Sequence, residues 1–573
     1  MFRRTFVKGL ILTPFPAYAT TKSNITQPSQ TSVLQGREFF LEIGYTLVQF
    51  TGKVSVATTV NGQLPAPTLV WDEGEIVTLH VTNHLKTTSS IHWHGIILPT
   101  SMDGVPGLSF DGIAPGETFT YRFKVQQHGT YWYHSHSNFQ EQTGVYGAIV
   151  IRPKKKEPFS YDRDYVVVLS DWSDEKPMTI YSKLKMMSSY YNYSQRTVGN
   201  FMDEVKEKGF MTASSDRKMW NEMRMSDRDI SDVSGATYTY LMNGKNPTTH
   251  FKALFEKGEK IRLRFVNAAA MTFFDVRIPE LTMQVVAADG NHVLPVNIDE
   301  FRIGVAETYD VIVEPKKHQA YAIFAQSIDR SGYALGSLTP KTSMLATPPP
   351  MDPKPILTHA DMGMAMDEMD HDEGMKCGAG MSMPSKKSMK KSKYAQMESQ
   401  HYPITPLPMA EGVQIDMRAT SPQYRLDDPG VGLRNNGRKV LSYADLKNRY
   451  STRDAKKPDR EIILHLTGNM ERFMWSINGI KYADAKPLAF AYGERIRITF
   501  INDTMMNHPM HLHGMWSDVE TGDDAHLVRK HTVIVQPGAK ISYRVTVDAK
   551  GRWAFHCHML YHMAGMFREV HVV

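Results

Sequence analysis

The run His556-Cys557-His558-Met559-Leu560-Tyr561-His562-Met563-Ala564-Gly565-Met566 constrains the fold more tightly than any other stretch of this chain. It sets a thiolate among imidazoles, with thioethers close by. Two His, one Cys and a weak axial Met are the donor set of a blue-copper centre. If residues 553–558 form a strand, successive side chains point to opposite faces. Cys557 then serves one metal, and His556 and His558 serve another behind it. One strand would join two redox sites through a few covalent bonds. The missing ligands must come from elsewhere in the sequence.

Bulk numbers narrow the function classes. At 573 residues the chain is too long for one domain, and 41% hydrophobic residues provide for several cores. The net charge of +6 arises from 66 basic and 60 acidic residues, a near balance that argues against nucleic acid or a membrane surface as partner. Two cysteines exclude a disulfide framework. A bridge from Cys377 to Cys557 would destroy the metal site, so none is expected. The 35 Met and 23 His stand out as soft and borderline ligands.

Arg3-Arg4-Thr5-Phe6-Val7-Lys8 precedes a short apolar run and Ala17-Tyr18-Ala19. This is the layout of an export signal over residues 1–19, and the paired Arg before Phe and Lys is that of a twin-arginine signal. The apolar run is about half the roughly 20 residues a membrane span needs, so no stable insertion is expected. The reading places the mature protein in the periplasm, exported already folded.

Short alternating runs separated by turn signals fill three regions, 33–155, 160–340 and 409–573, and predict an all-β protein of three sandwiches. The first contains His92-Trp93-His94-Gly95 and His134-Ser135-His136, each pair set on one strand face. The second has no such pair and is expected to act as a spacer. Its polar, Met-rich insert, 176–233, carries Val198, Phe201, Met202 and Val205 at helical spacing. The eight Met of that insert are expected to pack between helices. The third contains His508-Pro509-Met510-His511-Leu512-His513-Gly514, where His511 and His513 share a face and Pro509 is expected to break the strand. Between the second and third lies 341–408. It opens on Pro348-Pro349-Pro350 and continues through Met362, Met364, Met366, Met369, His371, Cys377, Met381 and Met383 to a lysine run. Its composition predicts a disordered tether, and its donors suit extra copper.

The four ligand motifs together, His-x-His-Gly, His-x-His, His-x-x-His-x-His-Gly and His-Cys-His-x3-His, resemble those of the multicopper oxidases across the mature chain. Phrases such as Thr58-Thr59-Val60-Asn61-Gly62 and Ser101-Met102-Asp103-Gly104-Val105-Pro106-Gly107 resemble the copper-resistance branch. The resemblance implies three cupredoxin-like Greek-key domains and four coppers. A type 1 copper would be held by His508, Cys557 and His562 with Met566 axial, and a type 2 copper by His92 and His511. A type 3 pair would be held by His94, His134, His136, His513, His556 and His558. Asp103 matches an acid that manages protons beside the cluster. One departure stands out: three residues, where the family has four, separate His562 from Met566.

The resemblance further implies that a reductant, Cu(I) or a phenol-type compound, gives electrons to the type 1 copper and that O2 is reduced to water at the other three. A monomer is expected. The rival reading is a non-enzymatic periplasmic protein that sequesters copper with its Met-rich segment. A copper nitrite reductase would not need all four motifs in one chain.

Overall fold

The computed structural model describes residues 32–364 and 402–573. The expected export signal and residues 365–401, which include Cys377 and most of the Met-rich run, lie outside the described residues.

Among the described residues, six principal sheets form three successive pairs. In the first domain the burial of Glu38–Val48 and Ile76–Asn83 alternates, apolar inward and polar outward, as strands with one wet face require. Ile261–Asn267 in the second domain is buried at every residue. Both of its faces are covered, yet its sequence alternates, because the second face is buried as ion pairs of Arg262 with Glu157 and Asp310 and of Arg264 with Asp164. In all three domains, strands distant in sequence lie side by side, with parallel pairs such as Arg163–Trp172 on Ile261–Asn267 and Arg460–Asn469 on Arg495–Asn502.

The register of the third domain places the ligand strands. His508–Leu512 pairs with Gly551–Cys557, and Met510 lies opposite Cys557 while His511 lies opposite His556. Pro509 does not break its strand. It pairs with Ile534, and its carbonyl accepts from His558 N at 2.7 Å. A proline is tolerated in a strand where no N–H is required of it. In the first domain, His92–His94 pairs with Gly129–His134, so that His92 faces His134 across the ladder.

Within the insert of the second domain lie three helices, Pro177–Met186, Val198–Lys208 and Phe210–Glu222. Their methionines are not mainly packing groups. Met223 and Met225 lie against the core, but Met178, Met186, Met187, Met202 and Met211 are exposed. The helices sit on the outside of the domain, and Val198–Lys208 buries no residue completely.

The first part of the expected tether is ordered. Along 341–364, Ala346, Leu357 and Met362 are buried. Asp352 accepts from Gln326 Nε2 at 2.7 Å and lies 3.1 Å from Arg277, and Leu357 N donates to Asp227 O at 2.8 Å. Composition hid this because the anchors are single residues spread among prolines and polar groups. After the undescribed stretch, Thr405 N donates to Glu461 O at 2.8 Å, which ties the chain to the third domain. Residues 423–450 bridge the second and third domains: Arg438 Nε is 2.7 Å from Glu300, and Tyr443 donates to Glu307 at 2.8 Å. No helix among the described residues is long and apolar enough to cross a membrane.

Candidate metal centres

Cys557 is fully buried at the end of its strand. Its Sγ lies 3.5 Å from His508 Nδ1 and 3.8 Å from His562 Nδ1, and those two nitrogens are 3.4 Å apart. A point near the middle of this triangle is about 2 Å from every corner, within the roughly 2.0–2.3 Å at which nitrogen and sulfur bind metals. The far nitrogens are tied down: His508 Nε2 lies 2.7 Å from Thr504 Oγ1, and His562 Nε2 lies 2.8 Å from Asp232 Oδ2. Each tie fixes the ring and leaves Nδ1 with a lone pair toward the sulfur. Trp475 stacks on His562 at 3.8 Å. Burial pushes the Cys557 thiol up, so copper must displace a proton there.

Met566 is fully buried behind this site, and its carbonyl accepts from Cys557 N at 3.0 Å. The short segment back to His562 closes tightly. A Cβ added at Gly565 would lie 1.9 Å from Trp475 O, so only glycine fits where the loop meets the neighbouring chain.

On the opposite side of the strand, eight imidazoles converge. Their ligand-capable atoms group as His92, His94 and His511, as His94, His134 and His558, and as His136, His513 and His556, each group within 4.8 Å. His136 alone of the eight keeps some exposure. The outward nitrogens find acceptors: His92 Nδ1 on Asp103 O at 2.7 Å, His511 Nδ1 on His531 O at 2.6 Å, and His513 Nδ1 on Asp103 Oδ2 at 2.9 Å. His556 Nδ1 donates to Cys557 O at 2.9 Å. His94 is reversed, with Nε2 3.1 Å from Thr532 Oγ1 and Nδ1 turned inward.

The inward nitrogens are therefore bare lone pairs. His513 and His556 bring their Nε2 atoms within 3.0 Å, and His134 and His558 within 3.3 Å. His92 Nε2, His511 Nε2 and His94 Nδ1 are buried without a hydrogen-bond partner. Crowded lone pairs of this kind repel unless cations lie between them, and the donor set suits copper. Burial, then the neighbouring imidazoles, holds His94, His134, His136, His511, His513 and His558 well below the usual imidazole range. They are neutral and ready to ligate.

Asp103 follows a single helical turn, Thr100–Met102, and is buried. A Cβ at the next residue, Gly104 (φ 80), would lie 1.8 Å from Ile91 O, and this close approach sets the carboxylate between His92 and His513.

Four neighbours have no sequence signal. Glu141 Oε2 lies 2.7 Å from His134 Nδ1, and Oε1 lies 4.0 Å from His558 Nδ1. Burial holds its carboxyl well above the usual range. Asp232, from the insert, supports His562, and His531 supports His511 and His94. Asp289 lies behind His531. Asp232 and Asp289 are brought in by packing between domains, Glu141 and His531 by the folding of their own, and each is a lone residue with no spacing to betray it. Replacing Glu141 with alanine is expected to cost roughly 10–100-fold in copper affinity at the imidazole cluster, the usual effect of removing a group behind a ligand. Copper titration of the metal-free protein, with the Cys557 absorption as internal reference, checks this.

A fold of paired sheets with a His2Cys triangle and an imidazole cluster on the two sides of one strand defines a multicopper redox protein. Comparison with known proteins agrees. Models of the multicopper oxidase family match residues 42–156, 163–343 and 455–573. The chain belongs to the multicopper oxidase family, and its chemistry is that of a copper-dependent oxidoreductase with four coppers. It is 54% identical to a Copper resistance protein A homolog from Pseudomonas syringae pv. tomato, over 100% of this chain and 99% of that one. It is also 54% identical to Copper resistance protein A from Escherichia coli, with the same coverage. Among solved structures, Fet3p, a multicopper oxidase that functions in iron import, superposes with a TM-score of 0.64 at 19% identity, covering 94% of this chain and 90% of that one. The laccase from Botrytis aclada does so with 0.61 at 21%, covering 95% and 90%. These likenesses establish the cupredoxin-like fold.

Proposed function

We propose that the protein is an exported cuprous oxidase that protects the periplasm from copper. The observation that carries this reading is the single strand whose Cys557 faces one metal triangle while His556 and His558 face the imidazole cluster. In this reading His508, Cys557 and His562, with Met566 axial, hold type 1 copper. His92 and His511 hold type 2. His94, His134, His136, His513, His556 and His558 hold the type 3 pair. Bound there, copper supplies one-electron oxidation at the first site and four-electron reduction of O2 at the second. The net reaction is four Cu(I), O2 and four protons to four Cu(II) and two waters.

The residues divide the remaining work. Cys557 and its neighbours offer the covalent path between sites, and the His556 Nδ1 to Cys557 O hydrogen bond of 2.9 Å offers a second. Asp103 holds His92 and His513 through its carbonyl and carboxylate, and its carboxylate is placed to pass protons at the cluster. Asp232, Trp475 and Phe473 enclose His562, which is fully buried. A bulky phenol cannot lie against that ring, so the enclosure favours a small ion as reductant. The names of the two copper-resistance relatives support the same role. Phenol-type compounds are then poorer substrates.

The test is O2 uptake by the four-copper protein with Cu(I) and with a phenol. The expected result is faster uptake with Cu(I); no uptake with Cu(I), copper fully loaded, sinks the proposal. Deleting 365–401, and sparing the packed residues 341–364, is expected to leave turnover on the phenol unchanged within about two-fold, because none of the proposed ligands of the four coppers is in that segment of the sequence. Loss of phenol turnover would instead tie it to the oxidase core. Its donors suit extra copper, and copper per chain in excess of four, lost on deletion, is the matching readout.

A further inference from the structure

The second domain donates none of the ten ligand His, yet Asp289 carries it to the imidazole cluster. This residue follows the strand Met283–Ala288 at a turn with φ 45 and is fully buried. The turn is wedged against the first domain: a Cβ on Gly129, at the start of the strand that ends in His134, would lie 2.2 Å from Gly290 O. Asp289 Oδ1 accepts from Thr308 N at 3.0 Å. Oδ2 accepts from the main-chain N–H groups of His531 and Thr532 in the third domain, each at 3.1 Å. Oδ2 also lies 3.0 Å from Lys530 Nζ and 3.6 Å from His531 Nδ1.

Those two residues of the third domain are what hold the outer faces of two candidate ligands. His531 O accepts from His511 Nδ1 at 2.6 Å. Thr532 Oγ1 and His531 Nδ1 lie 3.1 and 3.2 Å from His94 Nε2. His94 belongs to two of the three ligand groups, so its ring angle matters to both. One carboxylate of the second domain thus stands behind a ligand of the first and a ligand of the third.

We infer that Asp289 is a positioning residue for the imidazole cluster, acting through the main chain of His531 and Thr532 on His511 and His94. A salt bridge to Lys530 alone would not need this arrangement, because Glu307 also lies 3.0 Å from that ammonium. The two main-chain acceptances are the part that reaches the metal. Both ties fall on Oδ2, so an asparagine can keep them by placing its own oxygen there and losing only the Thr308 contact; Asp289→Ala removes both.

The inference rests on copper binding at the cluster, so the wild-type protein must first show four coppers and a type 2 EPR signal; their absence defeats the proposed function rather than this step. The variants are compared as full-length, copper-loaded protein. Asp289→Ala is expected to bind type 2 copper roughly ten-fold or more weakly, with changed type 2 hyperfine splitting and an unchanged blue band. Asp310→Ala is the matched control. Asp310 is equally buried in the second domain, pairs with Arg262 at 2.6 Å and accepts from Thr130 at 2.8 Å. It is expected to lower the melting temperature without moving the type 2 signal. Thr532→Val removes only the hydroxyl behind His94 and is expected to alter the type 3 absorption, with a smaller effect on the type 2 signal through the shared ring. The inference is overturned if Asp289→Ala keeps the wild-type signal and affinity, or if Asp310→Ala shifts both equally. An unaltered type 3 absorption in Thr532→Val likewise overturns the arm that runs to His94.

Discussion

Replacing Cys557 with serine is expected to abolish the blue absorption and lower O2 uptake by more than about a hundred-fold. Removing a group one step behind a ligand already costs roughly 10–100-fold, so removing the sulfur itself must cost more. Serine is close in size, and Cys557 is fully buried among apolar neighbours, so the fold should survive. The eight imidazoles point away from the substituted side chain and depend on other residues for their orientation. The variant is therefore expected to lose one copper, not four, and to keep its type 2 EPR signal. Metal analysis with EPR checks this. A variant that lost all its copper would show that the two sites assemble together, and one that kept its turnover would show that electrons bypass Cys557.

The metal-free protein is expected to unfold in mild acid, with a transition between about pH 6 and 5. Burial, then neighbouring imidazoles where they are close, holds eight of the ten candidate ligand imidazoles, His508 and His562 among them, far below their usual range. Burial brings His556 and His531 down to about 4. In the unfolded chain all return to about 6.5. Between those values the unfolded state binds more protons, so stability is complete above about pH 6.5 and is lost as the pH falls. Each imidazole contributes about 1.4 kcal/mol per pH unit in that window. Buried carboxyls work the other way: Asp229 and Asp232 are raised by burial to about 7, and Glu141 is raised further. They are outnumbered. Even half of the imidazole sum would consume the roughly 5–15 kcal/mol of a typical domain within one to two pH units. Copper competes with protons for the same lone pairs, so the loaded protein should hold its fold to lower pH. Tryptophan fluorescence against pH, with and without copper, measures both transitions. A metal-free protein equally stable at pH 7.5 and pH 5 would mean that these imidazoles are not neutral in the fold.

How much of this was legible in the sequence depends on whether a residue's neighbours are near it in the chain. The alternation along 556–558 was readable because a strand has period two, and the register of Met510 with Cys557 and His511 with His556 extends the same parity to the neighbouring strand. Pro509 was misread because its effect depends on whether its missing N–H is needed, which only the sheet decides. Residues 341–364 were misread because three buried apolar anchors leave little trace in composition. Glu141, Asp232, Asp289 and His531 were invisible for a further reason. Asp232 and Asp289 meet their partners 330 and 242 positions away, and Glu141 and His531, though near His134 and His511 in the chain, are lone groups with no period.

The imidazole cluster draws His92, His94, His134 and His136 from near one end of the chain and His511, His513, His556 and His558 from near the other. His134 and His558, whose Nε2 atoms meet at 3.3 Å, are 424 positions apart. Copper bound between them would be a staple that closes this 424-position span into a loop. The entropy of such closure grows only with the logarithm of loop length, so a long span adds little penalty. The order of events is more sharply limited. The final ligands are synthesised last, and no complete site exists until the first and third domains have met. Metal loading is therefore a late, reporting event: a chain that carries its full copper has already passed inspection from end to end.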